Sequence, residues 1–305
     1  MTDKQSLLEA NSGPLVSVIM NCYNGEKYLR EAIDSVYAQT YQNWEIIFWD
    51  NASKDQSAEI AKAYDKRLKY FRGEKLIKLY AARRLAIEKA SGEYLAFLDV
   101  DDWWEPNKLI KQIQAVFDFN ISLVYSNYYF ENSSKNKKTI IKGPQFGKNK
   151  VAFNEISSKY TVGLLTLLIN KQSYDKIGGF NEKYHIIGDY DLVLRLSHDL
   201  EVFGIDEPLA HYRWHENNES GKNLLLQIEE TENMLMEYYK INIYPEVGLK
   251  NIKYNLLYNK ISLLLNQGNR RLAFKYLFSI QRKSLFLKAL IKFFMTQKII
   301  TFFTH

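Results

Sequence analysis

Four short apolar runs rich in β-branched and aromatic residues stand near the start of the chain, at 16–21, 45–50, 68–72 and 94–99. The intervals between them carry a different rhythm. Tyr28, Leu29, Ala32, Ile33, Val36 and Tyr37 recur at three- and four-residue steps in the first interval, and Lys54–Ala63 and Tyr80–Ala90 repeat that pattern in the next two. Continuous apolar runs of this length predict buried strands, and the longer period predicts amphipathic helices that cover them. The β-α-β-α alternation therefore predicts an α/β fold. Its Rossmann-like, mostly parallel central sheet is flanked by helices, and its ligands lie beyond the carboxyl ends of the strands. Asp50 and Asp99 close two of those strands.

After Asp102 the rhythm changes. A helix is expected over 107–118 and a strand over 122–130, followed by a polar Ser/Asn/Lys loop at 132–138 and mixed segments up to Trp214. From Leu224 onward the spacing is helical only, including 252–266, 270–280 and 284–303. We place a boundary near Gly221, dividing 1–221 from a helical extension at 222–305, and divide the first part into halves at 14–102 and 103–221.

With 305 residues, 46% of them hydrophobic, the chain can bury a full core as one large domain or a domain with an appendage. The single cysteine, Cys22, excludes an intramolecular disulfide and a multi-cysteine zinc site, which fits a reducing compartment. The first fifteen residues are polar and lack the apolar core of a signal peptide, so a cytoplasmic location is expected. The net charge of +6 is uneven: no Asp or Glu follows Glu246, whereas eleven Lys and Arg do. The first 246 residues are thus net acidic. The basic character belongs to the tail, which is aliphatic-rich with only three arginines, so a nucleic-acid partner is not expected.

The densest chemistry is Phe97–Asp102, an apolar segment that ends in three carboxylates within four residues. Clustered carboxylates repel and resist burial unless a cation or hydrogen-bond donors compensate them. A hard divalent ion, and through it phosphate oxygens, satisfies that demand, which points to an enzyme handling an activated phosphate ester. Taken alone, the pair Asp99 and Asp101 is equally a polar turn ahead of the helix that follows Pro106. No GxxxxGK[ST] loop, GxGxxG turn, HExxH or GxSxG element occurs.

Four motifs in order, Pro14–Asn24, Trp49–Asp55, Phe97–Asp102 and Gly178–Glu182 followed by Gly188–Leu192, make the first 215 or so residues resemble a family 2 glycosyltransferase of the GT-A fold, of the bacterial surface-glycan type. The resemblance makes 14–102 the nucleotide-binding half and 103–221 the acceptor side. It implies that Asn21, Tyr23, Asp50 and Asn51 hold the nucleotide base and ribose. A carboxylate can accept a ring N–H, and an aromatic side chain offers a stacking face. It further implies that Asp99 contacts the sugar nucleotide, that Asp101 binds Mg²⁺ or Mn²⁺, and that Arg83 steadies the diphosphate or the acidic cluster. His215, in Tyr212-Arg213-Trp214-His215, becomes a second metal ligand, and Asp189 becomes the base that deprotonates the acceptor. Bland readings stay open: Asp50 as a turn residue, Arg83 as a surface arginine, Asp189 as the cap of a helix at 190–197, and His215 as a structural hydrogen-bonding residue. Asn51, Arg84 and Gly188 depart from the family pattern, which usually has Asp, Asn and Glu there.

The resemblance implies single-addition, inverting transfer from a UDP- or dTDP-sugar to a hydroxyl of a lipid-linked or cell-surface glycan, as in polysaccharide, lipopolysaccharide or capsule biosynthesis. The Gln-x-x-Arg-Trp element of processive synthases is absent. A sugar-1-phosphate nucleotidyltransferase and a non-catalytic nucleotide- or glycan-binding protein remain as alternatives. In Ser284–His305 apolar residues alternate with lysines over a stretch without acids. That suits peripheral contact with an anionic membrane, each Lys adding about 1 kcal/mol. It suits equally a helix packed on the catalytic domain or a second subunit.

Overall fold

The computed structural model describes residues 13–132, 137–144, 152–216, 218 and 223–303, with side chains as far as Phe294. The polar N-terminal stretch, the boundary at Gly221 and residues 133–136 of the expected loop lie outside them. The chain forms two compact units, residues 1–152 with 160–216, and residues 153–159 with 217–305.

The first unit begins β1 (Val16–Cys22), α1 (Glu26–Tyr37), β2 (Trp44–Asp50), α2 (Ser57–Lys62), β3 (Leu68–Arg72), α3 (Leu79–Ile87) and β4 (Tyr94–Phe97). Every residue of β1 and β2 is buried, which is why both strands are apolar without alternation. Leu29, Ala32, Ile33 and Val36 form the buried stripe of α1. The strands pair in the parallel order β3-β2-β1-β4, so their carboxyl ends lie side by side, with Cys22 opposite Asp50 and Asp50 opposite Arg72.

Next come β5 (Trp103–Trp104), α4 (Lys108–Phe119), β6 (Leu123–Asn132), β7 (Lys137–Ile141), α5 (Ala152–Ser158), β8 (Leu168–Asn170), α6 (Lys171–Lys176), α7 (Gly188–Asp199) and β9 (Val202–Trp214). The sheet continues β4-β8-β6-β9-β5, with β7 on the side of β6. In this half only β6 and β9 pair in parallel, and the remaining pairings are antiparallel. The fold is α/β with a parallel first half and a mixed second half.

The helices expected over 80–90 and 270–280 end at Ile87 and Leu277, and two further elements are shorter than their sequence pattern because the backbone is used for a turn. The strand expected over 94–99 stops at Phe97. Leu98 N–H still bonds Ile19 O at 3.1 Å, and Asp102 N–H then closes a turn on Asp99 O at 3.1 Å. The helix expected over 54–63 starts at Ser57, because Asp50 Oδ1 accepts from Ser53 N–H at 2.7 Å and Asp55 Oδ1 from Ser57 N–H at 3.1 Å. Ala52 in that turn has φ of 65°, a left-handed conformation that costs a Cβ-bearing residue energy and is typical of functional loops.

The second unit is helical: α8 (Leu224–Ile241), α9 (Glu246–Asn266), α10 (Arg270–Leu277) and α11 (Lys283–Phe303), with the segment 153–159. That segment groups here because Phe153 stacks on Tyr244 at 5.2 Å between ring centres.

Candidate active site

The three carboxylates that follow β4 do not share one ligand point; each is turned to a different residue. Asp99 Oδ1 accepts from Arg83 Nη2 at 2.5 Å, Asp101 Oδ2 lies 2.9 Å from His215 Nε2, and Asp102 Oδ1 accepts from the Arg213 backbone N–H at 2.9 Å. Burial and the neighbouring carboxylates raise the pKa of Asp101 and push that of Asp102 well above its usual range, with His215 and Arg213 opposing the rise. Asp102 is buried, while the Asp99 and Asp101 side chains keep 42% and 26% of their surface, enough for a ligand to reach them.

The far wall of this loop is β9. Arg213 Nε donates to Asp101 O at 3.0 Å, and its guanidinium lies 4.4 Å from both the Tyr28 and Trp103 ring centres. His215 stacks on Tyr28 at 5.6 Å. The first loop closes against the same turn at Gly25, where a Cβ would stand 2.7 Å from Val100 Cγ2, so only glycine permits the approach.

One face of α3 serves two carboxylates. Tyr80 and Arg83 are three residues apart and therefore neighbours on the helix surface. Arg83 reaches Asp99, and Tyr80 Oη donates to Asp189 Oδ1 at 3.2 Å. Tyr160 Oη donates to Asp189 Oδ2, also at 3.2 Å. Asp189 is partly exposed in the first turn of α7, two residues beyond the cap residue Ile187, whose side chain makes no capping bond. Burial raises the Asp189 pKa, while Arg83 and the two tyrosine hydroxyls restrain the rise.

Tyr80 also explains Gly188. A Cβ at 188 would lie 2.4–2.6 Å from the Tyr80 ring, which is only 3% exposed and cannot swing into solvent. The ring fills the space of the missing side chain. Gly188→Ala is expected to destabilise the protein by about 1–3 kcal/mol through overpacking and to pull the Tyr80 hydroxyl from Asp189. In a double-mutant cycle Gly188→Ala should cost less in a Tyr80→Ala background than in the parent, although the Tyr80→Ala cavity itself lowers the melting temperature. An unchanged melting temperature for Gly188→Ala alone would show that the ring is not held there.

Among the residues at and beside the ends of β1 and β2, engagement differs. Tyr23 is 46% exposed and presents a free ring face. The Asn21 amide is buried with neither its oxygen nor its nitrogen paired, and the indole N–H of its register partner Trp49 is also unpaired. An unpaired buried amide calls for a ligand or water. Asp50 is fully buried, and its carboxylate accepts from Ser53 N–H, Tyr70 Oη and Arg72 Nη1. Against the upward pull of burial, these bonds hold its pKa below the usual value. Asn51 is tied to the β3–α3 loop, donating to Ile77 O at 2.9 Å and accepting from Ile77 N–H at 3.3 Å. Both side chains brace the site in this conformation.

Arg84 donates to Gly178 O and Phe180 O, and Arg195, paired with Asp191, donates to Ile177 O and Gly179 O, so two arginines hold the loop that leads to Asp189. Sequence reasoning did not reach Tyr28, Tyr80, Tyr160 or Arg213. Tyr80 directly precedes Ala81-Ala82-Arg83-Arg84 and Arg213 lies within the quoted motif, so both had a positional signal; Tyr160 had none. Among the described residues no group of three or more His, Cys, Asp or Glu is placed to hold a metal ion.

Comparisons with known proteins agree with this arrangement of strand ends. The sequence model described as Glycosyl transferase family 2 matches residues 17–178. The Escherichia coli protein named UDP-Glc:alpha-D-GlcNAc-diphosphoundecaprenol beta-1,3-glucosyltransferase WfgD is 31% identical over 246 residues, covering 77% of this chain and 94% of that one. Among solved structures, S. aureus TarS in complex with UDP-GlcNAc superposes with a TM-score of 0.65 at 17% identity, covering 92% of this chain and 81% of that one. The mannosyltransferase PcManGT from Pyrobaculum calidifontis, in complex with GDP-Man and Mn²⁺, gives 0.60 at 14% identity, covering 92% and 87%. The nucleotidyltransferase and binding-protein readings fall away with these matches. The chain belongs to glycosyl transferase family 2 and is a glycosyltransferase of the GT-A fold.

Proposed function

We propose that this enzyme moves one sugar, with inversion, from a UDP- or dTDP-sugar to a hydroxyl of a lipid-linked or cell-surface glycan. The donor class is supported by the UDP-Glc in the name of WfgD and the UDP-GlcNAc bound to TarS. The diphosphoundecaprenol-linked acceptor of WfgD supports the acceptor class.

The observation that carries the reading is the setting of Asp189. It is a partly exposed carboxylate with a raised pKa, held by Tyr160 and by Tyr80, which lies on the helix face that also reaches Asp99 through Arg83. A general base must accept a proton, and burial makes the Asp189 carboxylate a stronger base while the two phenol donors favour its charged form. Asp189 takes the acceptor's hydroxyl proton as that oxygen bonds to the anomeric carbon. The bond from that carbon to the diphosphate breaks, and its electron pair leaves with the diphosphate. One displacement inverts the centre and needs no covalent enzyme intermediate.

Asp101 and His215 would hold Mg²⁺ or Mn²⁺. The pair fits such an ion: a carboxylate and an imidazole stand 2.9 Å apart, both partly exposed, and a hard cation bound by two protein groups fills its shell with phosphate oxygens and water. When bound, the cation offsets charge on the leaving diphosphate. Tyr23 offers its ring to the base, the Asn21 amide offers an unused donor and acceptor, and Asp50 and Asn51 support the loops around them.

The test is the anomeric outcome. With UDP-glucose as donor and GlcNAc-diphosphate-lipid as acceptor, the α-linked donor is expected to give a β-linked product by NMR. An α-linked product would overturn direct displacement.

A further inference from the structure

The helical unit has its own core, built from Leu257, Ile261 and Leu265 of α9, Ala273 and Leu277 of α10, and Ala289 of α11. That core leaves out two apolar stripes. Phe274 of α10 and Phe278, which caps the C-terminus of that helix, stand one turn apart and are 49% and 64% exposed. On α11, Leu287, Ile291 and Phe294 follow helical spacing, each at least half exposed. Rings join the stripes: Phe274 meets Phe293 at 5.8 Å, Phe278 meets Phe286 at 6.2 Å, and Phe293 meets Phe294 at 5.7 Å. A contiguous apolar face of this kind on a soluble unit marks an interaction surface.

Charge identifies what that surface meets. Arg271, Lys275, Lys283 and Lys288 are exposed on the same two helices, and no Asp or Glu occurs after Glu246. Among the described residues no helix is long and apolar enough to cross a membrane. A second copy of this chain would bring cations against cations, and a nucleic acid offers no hydrocarbon for Leu287 and Ile291. An anionic lipid surface supplies both negative headgroups and a hydrocarbon boundary.

We propose that the α10–α11 face docks on an anionic bilayer, with Phe274, Phe278, Leu287, Ile291 and Phe294 at the acyl boundary and the four cations at the headgroups. The sequence pattern pointed to α11 alone. The structure turns Leu285 and Leu290 of that helix towards the core and adds Phe274 and Phe278.

The test is sedimentation of the full chain with vesicles, without donor or acceptor, so that it does not depend on Asp189 or Asp101. The parent is expected to sediment with vesicles containing phosphatidylglycerol at least about tenfold more strongly than with pure phosphatidylcholine, since each cation near the surface is worth roughly fivefold. High salt should weaken binding. Phe274→Ser/Phe278→Ser and Lys275→Glu/Lys288→Glu should each reduce it by at least about tenfold. Both pairs are on the surface, and a circular-dichroism melt will show that the fold is kept. Equal sedimentation of the parent and both variants, or no sedimentation with either lipid, would overturn the proposal. So would a dimer in light scattering that the phenylalanine variant dissolves, because the face would then belong to a second copy.

Discussion

Asp189→Asn is expected to lower the transfer rate by roughly 10²–10⁴-fold, the usual worth of a general base, while nucleotide affinity stays within about twofold. Asparagine keeps the shape and can still engage the Tyr80 and Tyr160 hydroxyls, so the site stays assembled without a proton acceptor. Stability should move the other way. The folded-state pKa of Asp189 is raised, so between the ordinary carboxylate pKa and that raised value the folded chain binds more protons than the unfolded one. Stability from this group is therefore greatest at low pH and falls as pH rises through that window. At neutral pH the variant, which carries no charge to bury, should melt no lower than the parent. In the parent, the acid limb of the rate profile should lie above the ordinary carboxylate range, with activity rising as Asp189 deprotonates. Tyr80→Phe removes a bond that favours the charged form and should move that limb to higher pH. Equal transfer rates for Asp189→Asn and the parent would remove Asp189 from the base role.

Asp101→Ala is expected to abolish metal-dependent nucleotide binding. In the parent, UDP with Mn²⁺ at a hundred times its dissociation constant should add about 2.7 kcal/mol, a rise of several degrees in melting temperature, and EDTA should remove it. The variant should show no metal-dependent rise. Its melting point without ligand should not fall, because burial and Asp99 already make the Asp101 charge costly. Retention of the full Mn²⁺-dependent shift in Asp101→Ala would place the cation elsewhere.

The elements near the start of the chain were legible because their patterns are local. Strands buried on both faces are apolar throughout, so periodicity alone placed β1, β2 and β3 within a residue, and it picked out the buried stripe of α1. The acidic run was legible for a related reason: a burst of carboxylates after an apolar strand contradicts burial and so announces itself.

Apart from Arg83, which the resemblance sets beside the acidic cluster and which pairs with Asp99, the partners of those carboxylates were not legible. Arg213 and His215 lie more than a hundred residues from Asp101 and Asp102, and they meet them because β9 pairs with β5 and β6. Tyr80 meets Asp189 across a similar gap, because its ring needs the volume left by Gly188. The sequence by itself determined the fold class, the strand ends and the residue types gathered there, since hydrophobic period and charge density are properties of neighbours in the chain. The tertiary structure alone decided which groups answer Asp101 and Asp102, that Asp189 is held by two tyrosines, and which side chains of α10 and α11 stay outside the helical core. Those outcomes depend on sheet order and on the space left by distant residues, and neither is written in any local window of the sequence.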